Sequence, residues 1–282
     1  MGEREYLRVD YGGGGGGRSP FWATYPATKA LIIALIGIHL LMSVLARAAP
    51  DAWRAFYELF LLHPDRVLKS FYIWQLVTCA FFHASGLWHL LFNCIFIFFF
   101  GRMVEQRLGM KRYVYFCLAA AVTSSLAFLL ESALLDQVSP MLGASGVAMG
   151  LVVLVALWHP RMTVLMFFVL PMPLWAVAAL IVVMELLMLF DLQGGIAHSA
   201  HLGGALYGFL YYRYGGRFGR IFRSIDNMAE KQRHRKEQKS KAREADLRRE
   251  VDRILDKVNR EGMAALSKEE RRFLKEASEK LR

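Results

Sequence analysis

Six apolar runs set the strongest limit on what this chain can fold into. They are Thr28–Leu45, Leu87–Phe100 with its flanks, Tyr113–Leu135, Ser145–Trp158, Leu174–Phe190 and Ala197–Tyr212. Hydrophobic residues make up 55% of the 282 positions. Runs of about 20 apolar residues match the thickness of the hydrocarbon core of a bilayer. The pattern predicts an all-α, polytopic membrane protein with six transmembrane helices.

The spans divide the chain into three parts. Residues 1–27 form a polar tail whose consecutive glycines, Gly12–Gly17, predict a flexible spacer. Residues 28–215 hold the membrane domain. Its first connection, 47–86, is amphipathic and rich in aromatic side chains, which predicts an interfacial element. The short run 162–170 is followed by prolines and is interpreted as an approach to the fifth span.

The third part, residues 216–282, is a charged and helix-prone extension. Most of the net charge of +11 lies there, with acidic and basic residues interleaved. This predicts a solvated cytoplasmic tail, with binding to anionic lipid as the alternative. Nucleic acid is not an expected partner, because aromatic residues are scarce in the tail. Apolar residues at helical spacing within 248–282 predict a helical hairpin, with a stop at Gly262 and a capping box of Ser267 and Glu270.

Basic residues in the short connections predict the orientation. The second connection carries Arg102, Arg107, Lys111 and Arg112, the fourth carries Arg161, and the third and fifth carry neither Lys nor Arg. Cytoplasmic loops are enriched in Lys and Arg, so both termini are expected in the cytoplasm. The second, fourth and sixth spans then all begin on the outer side, at similar depth.

Polar side chains mark the beginning of these three spans. His89 and Asn93 lie near the start of the second, Ser145 opens the fourth, and His198 and His201 open the sixth. Polar groups inside a membrane are costly and are usually functional. A serine becomes a good nucleophile when a histidine accepts its proton. Ser145 and His201 are therefore the candidate nucleophile and general base.

Glycines on the two helices indicate that their backbones approach closely. Gly204 and Gly208 lie on the helix face of His201, and Gly146 and Gly150 offer a matching ridge on the serine helix. Small residues at this spacing let membrane helices pack at short distance.

The remaining parts of the predicted site are the donors that would stabilise a negatively charged oxygen and a carboxylate that could support the histidine. The Ser145 N–H at the start of its helix, with the His89 and Asn93 side chains, is the predicted oxyanion site. Glu185 and Asp191 lie on or just after a different helix. We therefore expect a Ser–His dyad without an acidic third member, and Glu185 is interpreted as structural.

Three of these stretches resemble the motifs of the rhomboid family of intramembrane serine proteases. They are HLLFN at His89–Asn93, GASG at Gly143–Gly146 and AHLGGALYG at Ala200–Gly208, in that order on the second, fourth and sixth spans. FGRMVEQRLG, from Phe100 to Gly109, is similar to the family's loop after the second span. The resemblance covers residues 28–215.

The resemblance implies a rhomboid-like helical bundle with Ser145 as nucleophile and His201 as base. His89, Asn93 and the Ser145 amide would form the oxyanion site, and Gly143 would permit the turn before the serine. Substrates would be membrane-anchored proteins, cleaved near the outer bilayer boundary without a metal or another cofactor. We expect a multi-pass protein in contact with the lipid of a bacterial cytoplasmic membrane, with an organelle membrane as the alternative.

Some positions depart from the family pattern. Many members carry Trp-Arg where this chain has Trp74 and Gln75, which leaves open how the first connection is anchored. The additional His198 raises the question of which histidine is the base. His201 is favoured because only it shares a helix face with the glycines. His83 is interpreted as a support for a loop.

Two other functions are alternatives to a peptidase. One is a non-catalytic membrane scaffold that binds transmembrane segments; such relatives typically lack the nucleophile or the base, and this chain has both. The other is a metalloenzyme that uses His89, His198 and His201. The sequence shows neither an HExxH motif nor a convergent carboxylate to support it.

Overall fold

The computed structural model describes residues 25–84, 86–135, 139–166, 169–189 and 197–262, together with 266–267, 269 and 272–274. The predicted N-terminal spacer and much of the predicted hairpin, including Glu270, lie outside the described residues. The chain divides into two compact units, Met1–Tyr214 and Gly215–Arg282. The first unit holds the predicted spans.

The described elements are almost all helical. They are α1 Pro26–Ala48, α2 Pro50–Phe60, α3 Pro64–Ser70, α4 Gln75–Thr78, α5 Leu87–Phe96, α6 Arg102–Leu108, α7 Met110–Leu135, α8 Ser145–Trp158, α9 Leu174–Leu187 and α10 His198–Glu261. Strands β1, Thr163–Met166, and β2, Leu170–Pro173, pair antiparallel between α8 and α9. The prediction of an all-α polytopic bundle is confirmed, with this hairpin as a small exception.

Within the described ranges, three continuous helices are long and apolar enough to cross a bilayer: α1, Leu87–Leu108 and α7. α8 and α9 are apolar but shorter. The second span runs further than the sequence indicated, because the π segment Ile97–Gly101 joins α5 to α6 without ending the helix. Arg102 and Arg107, predicted to lie in a connection, are therefore on the helix, and only Gly109 separates α6 from α7.

The carboxylate of Glu105 ties α6 to the start of α1. It accepts hydrogen bonds from Ala27 N at 2.9 Å, from Thr28 N at 2.8 Å and from Thr28 Oγ1 at 2.7 Å. The first N–H groups of a helix have no partner within the helix and carry partial positive charge. A buried carboxylate is a favourable cap for them, so this contact fixes the first span against the end of the second.

The first connection folds into α2, α3 and α4, and the buried amide of Gln75 holds it together. Gln75 Oε1 accepts a hydrogen bond from His63 N at 3.0 Å. Its Nε2 donates to Glu58 O and Leu59 O at 3.1 and 3.2 Å. Trp74 Nε1 donates to the same Leu59 carbonyl at 2.8 Å. A neutral amide thus anchors this segment at the position where the family motif has arginine.

The run interpreted as an approach to the fifth span contains β1 and the first residue of β2. Thr163 pairs with Pro173, and Leu174 N donates to Met162 O at 2.8 Å, which sets the start of α9 beside the start of the hairpin. β-branched residues favour extended backbone, and prolines in β2 exclude a helix interior. A strand pair is therefore the local structure that this segment can form.

Helix α8 lies inside the bundle. Ten of its 14 residues are buried, and it contacts α5, α6, α7 and α9. In α1, by contrast, large apolar side chains such as Ile33, Leu40 and Val44 are exposed. A helix that is apolar and buried on all sides is typical of a bundle interior. The first residues of α8 therefore face protein.

In the C-terminal unit, α10 ends at Glu261, and Gly262 follows with a φ of +84°. A glycine in the left-handed conformation is a common helix stop, as expected from the sequence. Ile254 and Leu266, which lie on either side of this stop in the chain, are buried.

Candidate active site

A cavity of about 660 Å³ lies among the beginnings of α5, α8 and α10. Four of the predicted polar residues line it: His89, Asn93, Ser145 and His201. α7, α9, the end of the first connection and the segment before α8 also contribute to the wall, which includes Glu131 and Glu185. Residues that the order of the spans predicts at similar depth thus share one cavity.

Ser145 and His201 are in direct hydrogen-bond contact. Ser145 is the first residue of α8, and His201 lies in the first turn of α10. His201 Nε2 is 2.7 Å from Ser145 Oγ. When the imidazole carries its proton on Nδ1, Nε2 accepts the hydroxyl hydrogen. A serine nucleophile and its general base need this geometry.

The carboxylate of Glu185 continues this chain of contacts behind His201. Glu185 Oε1 lies 2.8 Å from His201 Nδ1, and Oε2 lies 2.6 Å from His198 Nδ1. The expectation that no acidic side chain joins the serine and histidine is therefore wrong. Because α9 packs against α8, a carboxylate on a third helix reaches the imidazole.

The sequence held two signals for Glu185. An ionisable side chain within an apolar run usually faces the bundle interior or a water-filled cavity. The order of the spans supplies the second signal: the fifth span ends on the side where the sixth begins. The last turn of α9, with Glu185, therefore lies at the depth of His198 and His201. The same relation sets the Glu185 carboxylate beside the two histidines.

A second carboxylate, Glu131 of α7, faces the cavity and was not singled out from the sequence. Its Oε2 accepts a hydrogen bond from Ser199 Oγ at 2.5 Å. Ser199 lies between the two histidines of α10, and His198 contacts Glu185 rather than Ser145. Ser145 is therefore hydrogen-bonded to His201. This is the histidine that the sequence favours as the base, because it shares a helix face with Gly204 and Gly208.

The predicted oxyanion donors line the same cavity. α8 begins at Ser145 without a side-chain cap, so its first N–H groups are not satisfied by a capping side chain. Asn93 Nδ2 donates to His89 O at 2.9 Å, which orients the amide along α5. Gly143 has a φ of +121°, and a Cβ on it would lie 2.9 Å from His89 Cε1. A side chain at 143 would be strained and would displace the His89 ring.

His83 supports the loop before α8. Its Nε2 accepts a long hydrogen bond from Ala144 N at 3.5 Å, and its carbonyl accepts one from Tyr57 OH at 3.3 Å. Burial, together with the nearby His89 and His39 rings, lowers the pKa of His83 to about 3. The ring therefore stays neutral and remains an acceptor at neutral pH.

We expect a His83→Gln variant to be less sensitive to mild acid than the wild type. The unfolded chain protonates this histidine below about pH 6.5, whereas the folded chain does so only near pH 3. The free energy of unfolding therefore falls as pH drops through this window, by up to about 1.4 kcal/mol per pH unit. Thermal unfolding in detergent at neutral pH and at about pH 5 measures the difference. An equal loss in wild type and variant would contradict the prediction, and His159→Gln is the control for removing a histidine elsewhere.

The glycine ridges of α8 and α10 lie in contact. A Cβ on Gly204 would overlap the carbonyl of Gly146, and one on Gly208 would overlap the carbonyl of Gly150. The two backbones are thus closer than any side chain at these positions permits. This contact brings the first turns of the two helices together.

The chain is similar to known proteins in both of its units. A family model described as Rhomboid domain matches residues 70–218, just over half of the chain. Residues 225–280 match a family described as Family of unknown function (DUF6576).

Curated relatives include mitochondrial and bacterial proteins. Rhomboid protein 1, mitochondrial, of Saccharomyces cerevisiae is 30% identical over 220 residues, which cover 77% of this chain and 58% of that protein. RHOMBOID-like protein 12, mitochondrial, of Arabidopsis thaliana is 28% identical over 171 residues, 54% of this chain and 51% of the relative. Rhomboid protease GlpG of Yersinia pestis is 30% identical over 189 residues, 66% and 61% of the two chains. The chain spans about half to three-fifths of the length of these relatives. With its apolar helices and its matched domain, it is an integral membrane protein that belongs to the rhomboid family.

Proposed function

We propose that this protein is an intramembrane serine endopeptidase that cleaves membrane-anchored protein substrates near the outer boundary of the bilayer. The observation that supports this most is the 2.7 Å contact between Ser145 Oγ and His201 Nε2. The cavity around it also contains the start of α8 and the side chains of His89 and Asn93. The name of the bacterial relative, a rhomboid protease, supports the same activity.

Acylation begins when Ser145 Oγ attacks the carbonyl carbon of the scissile peptide bond. His201 Nε2 takes the hydroxyl proton, and the resulting imidazolium keeps its Nδ1–H bond to the Glu185 carboxylate. The negative charge on the carbonyl oxygen is met by the Ser145 N–H and by the His89 and Asn93 side chains. His201 then gives its proton to the leaving amine as the C–N bond breaks.

Deacylation repeats these steps with water. His201 removes a proton from a water molecule, which attacks the acyl carbon, and Ser145 Oγ leaves with that proton. One peptide bond and one water molecule are consumed in each cycle. Water reaches the ester through the cavity, so the protein needs an aqueous opening in the lipid-facing bundle.

A substrate must enter the cavity as extended backbone, because a helical peptide bond is covered by its own turns. Unpaired backbone groups cost several kcal/mol each in hydrocarbon, and the cavity supplies water and polar partners for them. Helix-destabilising residues near the cleavage site therefore favour hydrolysis.

We also propose the orientation and location. Basic residues around the junction of α6 and α7, together with Arg161 in the connection after α8, favour cytoplasmic termini, and the basic tail is then a cytoplasmic extension. The site lies on the outer side of a bacterial cytoplasmic membrane in this topology. The mitochondrial relatives make an organelle membrane the alternative.

A serine-directed probe tests the proposal directly. Full-length protein in liposomes is treated with a fluorophosphonate, and the labelled residue is identified by mass spectrometry. The wild type is expected to label at Ser145, Ser145→Ala to lose this label, and His201→Ala to label far more slowly. His159→Ala is the matched control and is expected to label like the wild type.

Cleavage of a co-reconstituted single-span substrate by the same variants completes the test. Cleavage that persists in Ser145→Ala would exclude this residue as the nucleophile. Capture of the substrate by the wild type without labelling or cleavage would instead favour the non-catalytic scaffold.

A further inference from the structure

The carboxylate and imidazoles beside the nucleophile also form a set of metal-ligand atoms. Glu185, His198 and His201 each offer one such atom, and these atoms all lie within 4.8 Å of one another. We propose that this cluster binds a zinc ion and that the bound ion switches the peptidase off. The binding is independent of the activity, whereas the switch rests on the proposed function.

The donor set fits zinc better than calcium or magnesium. Two imidazole nitrogens and one carboxylate are a recurring zinc ligand set that leaves a fourth position for water. Calcium and magnesium require mainly oxygen ligands, which the cluster does not supply. Glu185 and His201 line the cavity, so a water molecule can complete a tetrahedral site.

The distances require only a small adjustment. The two Nδ1 atoms now lie 2.8 and 2.6 Å from the Glu185 oxygens. Ligand atoms around a tetrahedral zinc ion at about 2.0–2.1 Å are roughly 3.3 Å apart. The carboxylate must therefore retreat by under about 1 Å, which rotation of the Glu185 side chain near the end of α9 can provide. Ligand atoms that lie up to 4.8 Å apart must also close by at most about 1.5 Å.

Zinc would remove the base function of His201. The ion occupies the Nδ1 lone pair, so the single proton of the neutral imidazole moves through solvent from Nδ1 to Nε2. Nε2–H then donates to Ser145 Oγ and cannot accept its proton. His198 undergoes the same exchange of tautomer. The protein loses no net proton from these rings and no electron, so a chelator reverses the inhibition.

The ion in this proposal is an inhibitor and not a cofactor. The metalloenzyme alternative named His89 as a ligand, but His89 does not belong to the cluster. Peptide hydrolysis needs one histidine as base, which leaves His198 without a chemical step. Metal binding gives this second histidine a function.

Binding is tested in the Ser145→Ala background, where catalysis plays no part. Full-length protein with a histidine-free tag is titrated with Co²⁺ in detergent, and the visible absorption of tetrahedral Co²⁺ is followed. We expect one saturable site whose affinity falls at least about tenfold when His198→Asn is added. Asparagine is chosen because its amide can still donate to Glu185. His159→Asn is the matched control and is expected to leave the affinity unchanged.

Inhibition is tested on cleavage by protein with Ser145 intact. Zinc is expected to lower the rate at least about tenfold, a chelator to restore it, and His198→Asn to raise the half-inhibitory zinc concentration at least about tenfold. Each variant is compared with its own zinc-free rate. No saturable Co²⁺ site, or equal affinity with and without His198, would overturn the metal site. Cleavage unaffected by zinc at site-saturating concentrations would overturn the switch. A wild type that cleaves nothing would end the proposed function, while the Co²⁺ titration would still decide the site.

Discussion

Replacing His201 with alanine is expected to lower kcat by about 10⁴-fold or more, and replacing Glu185 with glutamine by about 10²–10⁴-fold. Without His201, the Ser145 hydroxyl loses the imidazole that accepts its proton. With glutamine at 185, the acceptor for Nδ1–H can remain, but the imidazolium that forms during attack loses its negative partner. KM is expected to change little, because both side chains act mainly in the transition state and not in binding the substrate. Initial rates of cleavage over a range of substrate concentrations measure both effects.

The double variant identifies Glu185 as a residue that acts through His201. Once His201 is alanine, Glu185→Gln is expected to cost almost nothing further, since residues that act as a unit are not additive. Glu185→Asp is expected to recover part of the rate. The matched control is Glu131→Gln, another cavity carboxylate, whose amide can still accept from Ser199. Losses in kcat that simply multiply in the double variant would show that Glu185 acts elsewhere, for example on folding.

Gly204→Ala is expected to lower the cleavage rate at least about 100-fold and to reduce thermal stability. The added Cβ would overlap the Gly146 carbonyl, and backbone cannot rotate away as a side chain can. α8 and α10 must separate, and overpacking of this kind typically costs about 1–3 kcal/mol. The same separation lengthens the hydrogen bond between Ser145 and His201, and a misplacement of about 1 Å can cost 10²-fold in rate. Substrate cleavage and thermal unfolding in detergent are measured together.

Gly37→Ala is the matched control for this change. Gly37 lies within α1, and a Cβ on it would have no heavy atom within 4 Å. Alanine also has the higher helix propensity, so this variant is expected to be at least as stable as the wild type and equally active. Full activity of Gly204→Ala would show that close apposition of the two helices is not needed.

The pairing of Ser145 with His201 can be predicted from the sequence without atomic coordinates. The order of the spans sets the depth of each polar residue, and glycine spacing indicates which helix faces meet. Glu185 obeys the same depth relation. Its contact with His201 is not evident from the sequence, because a helix without glycine motifs gives no indication of the face on which its carboxylate lies.

Other features depend on tertiary contacts that a single sequence does not encode in a recognisable pattern. The residues around Glu105 do not indicate whether its carboxylate faces solvent in a loop or caps α1. Only the packing of α6 against α1 decides between these two positions. The composition of the π segment Ile97–Gly101 does not distinguish it from an ordinary apolar helix, so the sequence indicates too early an end for the second span. The strand pair between α8 and α9 has an apolar composition that a helix could share, so the sequence does not distinguish the two structures.

The short α8 and α9 have a consequence for the surrounding lipid. Each contains 14 residues, or about 21 Å of helix, against about 30 Å of hydrocarbon. α8 is shielded by its neighbours, but α9 exposes Trp175, Val183 and Leu187. Hydrophobic mismatch at this flank is relieved when the adjacent leaflet thins. In the thinned leaflet, the end of a transmembrane segment beside α9 would leave the acyl chains before it reached Ser145. We therefore expect the cleavage rate to depend on the thickness of the membrane.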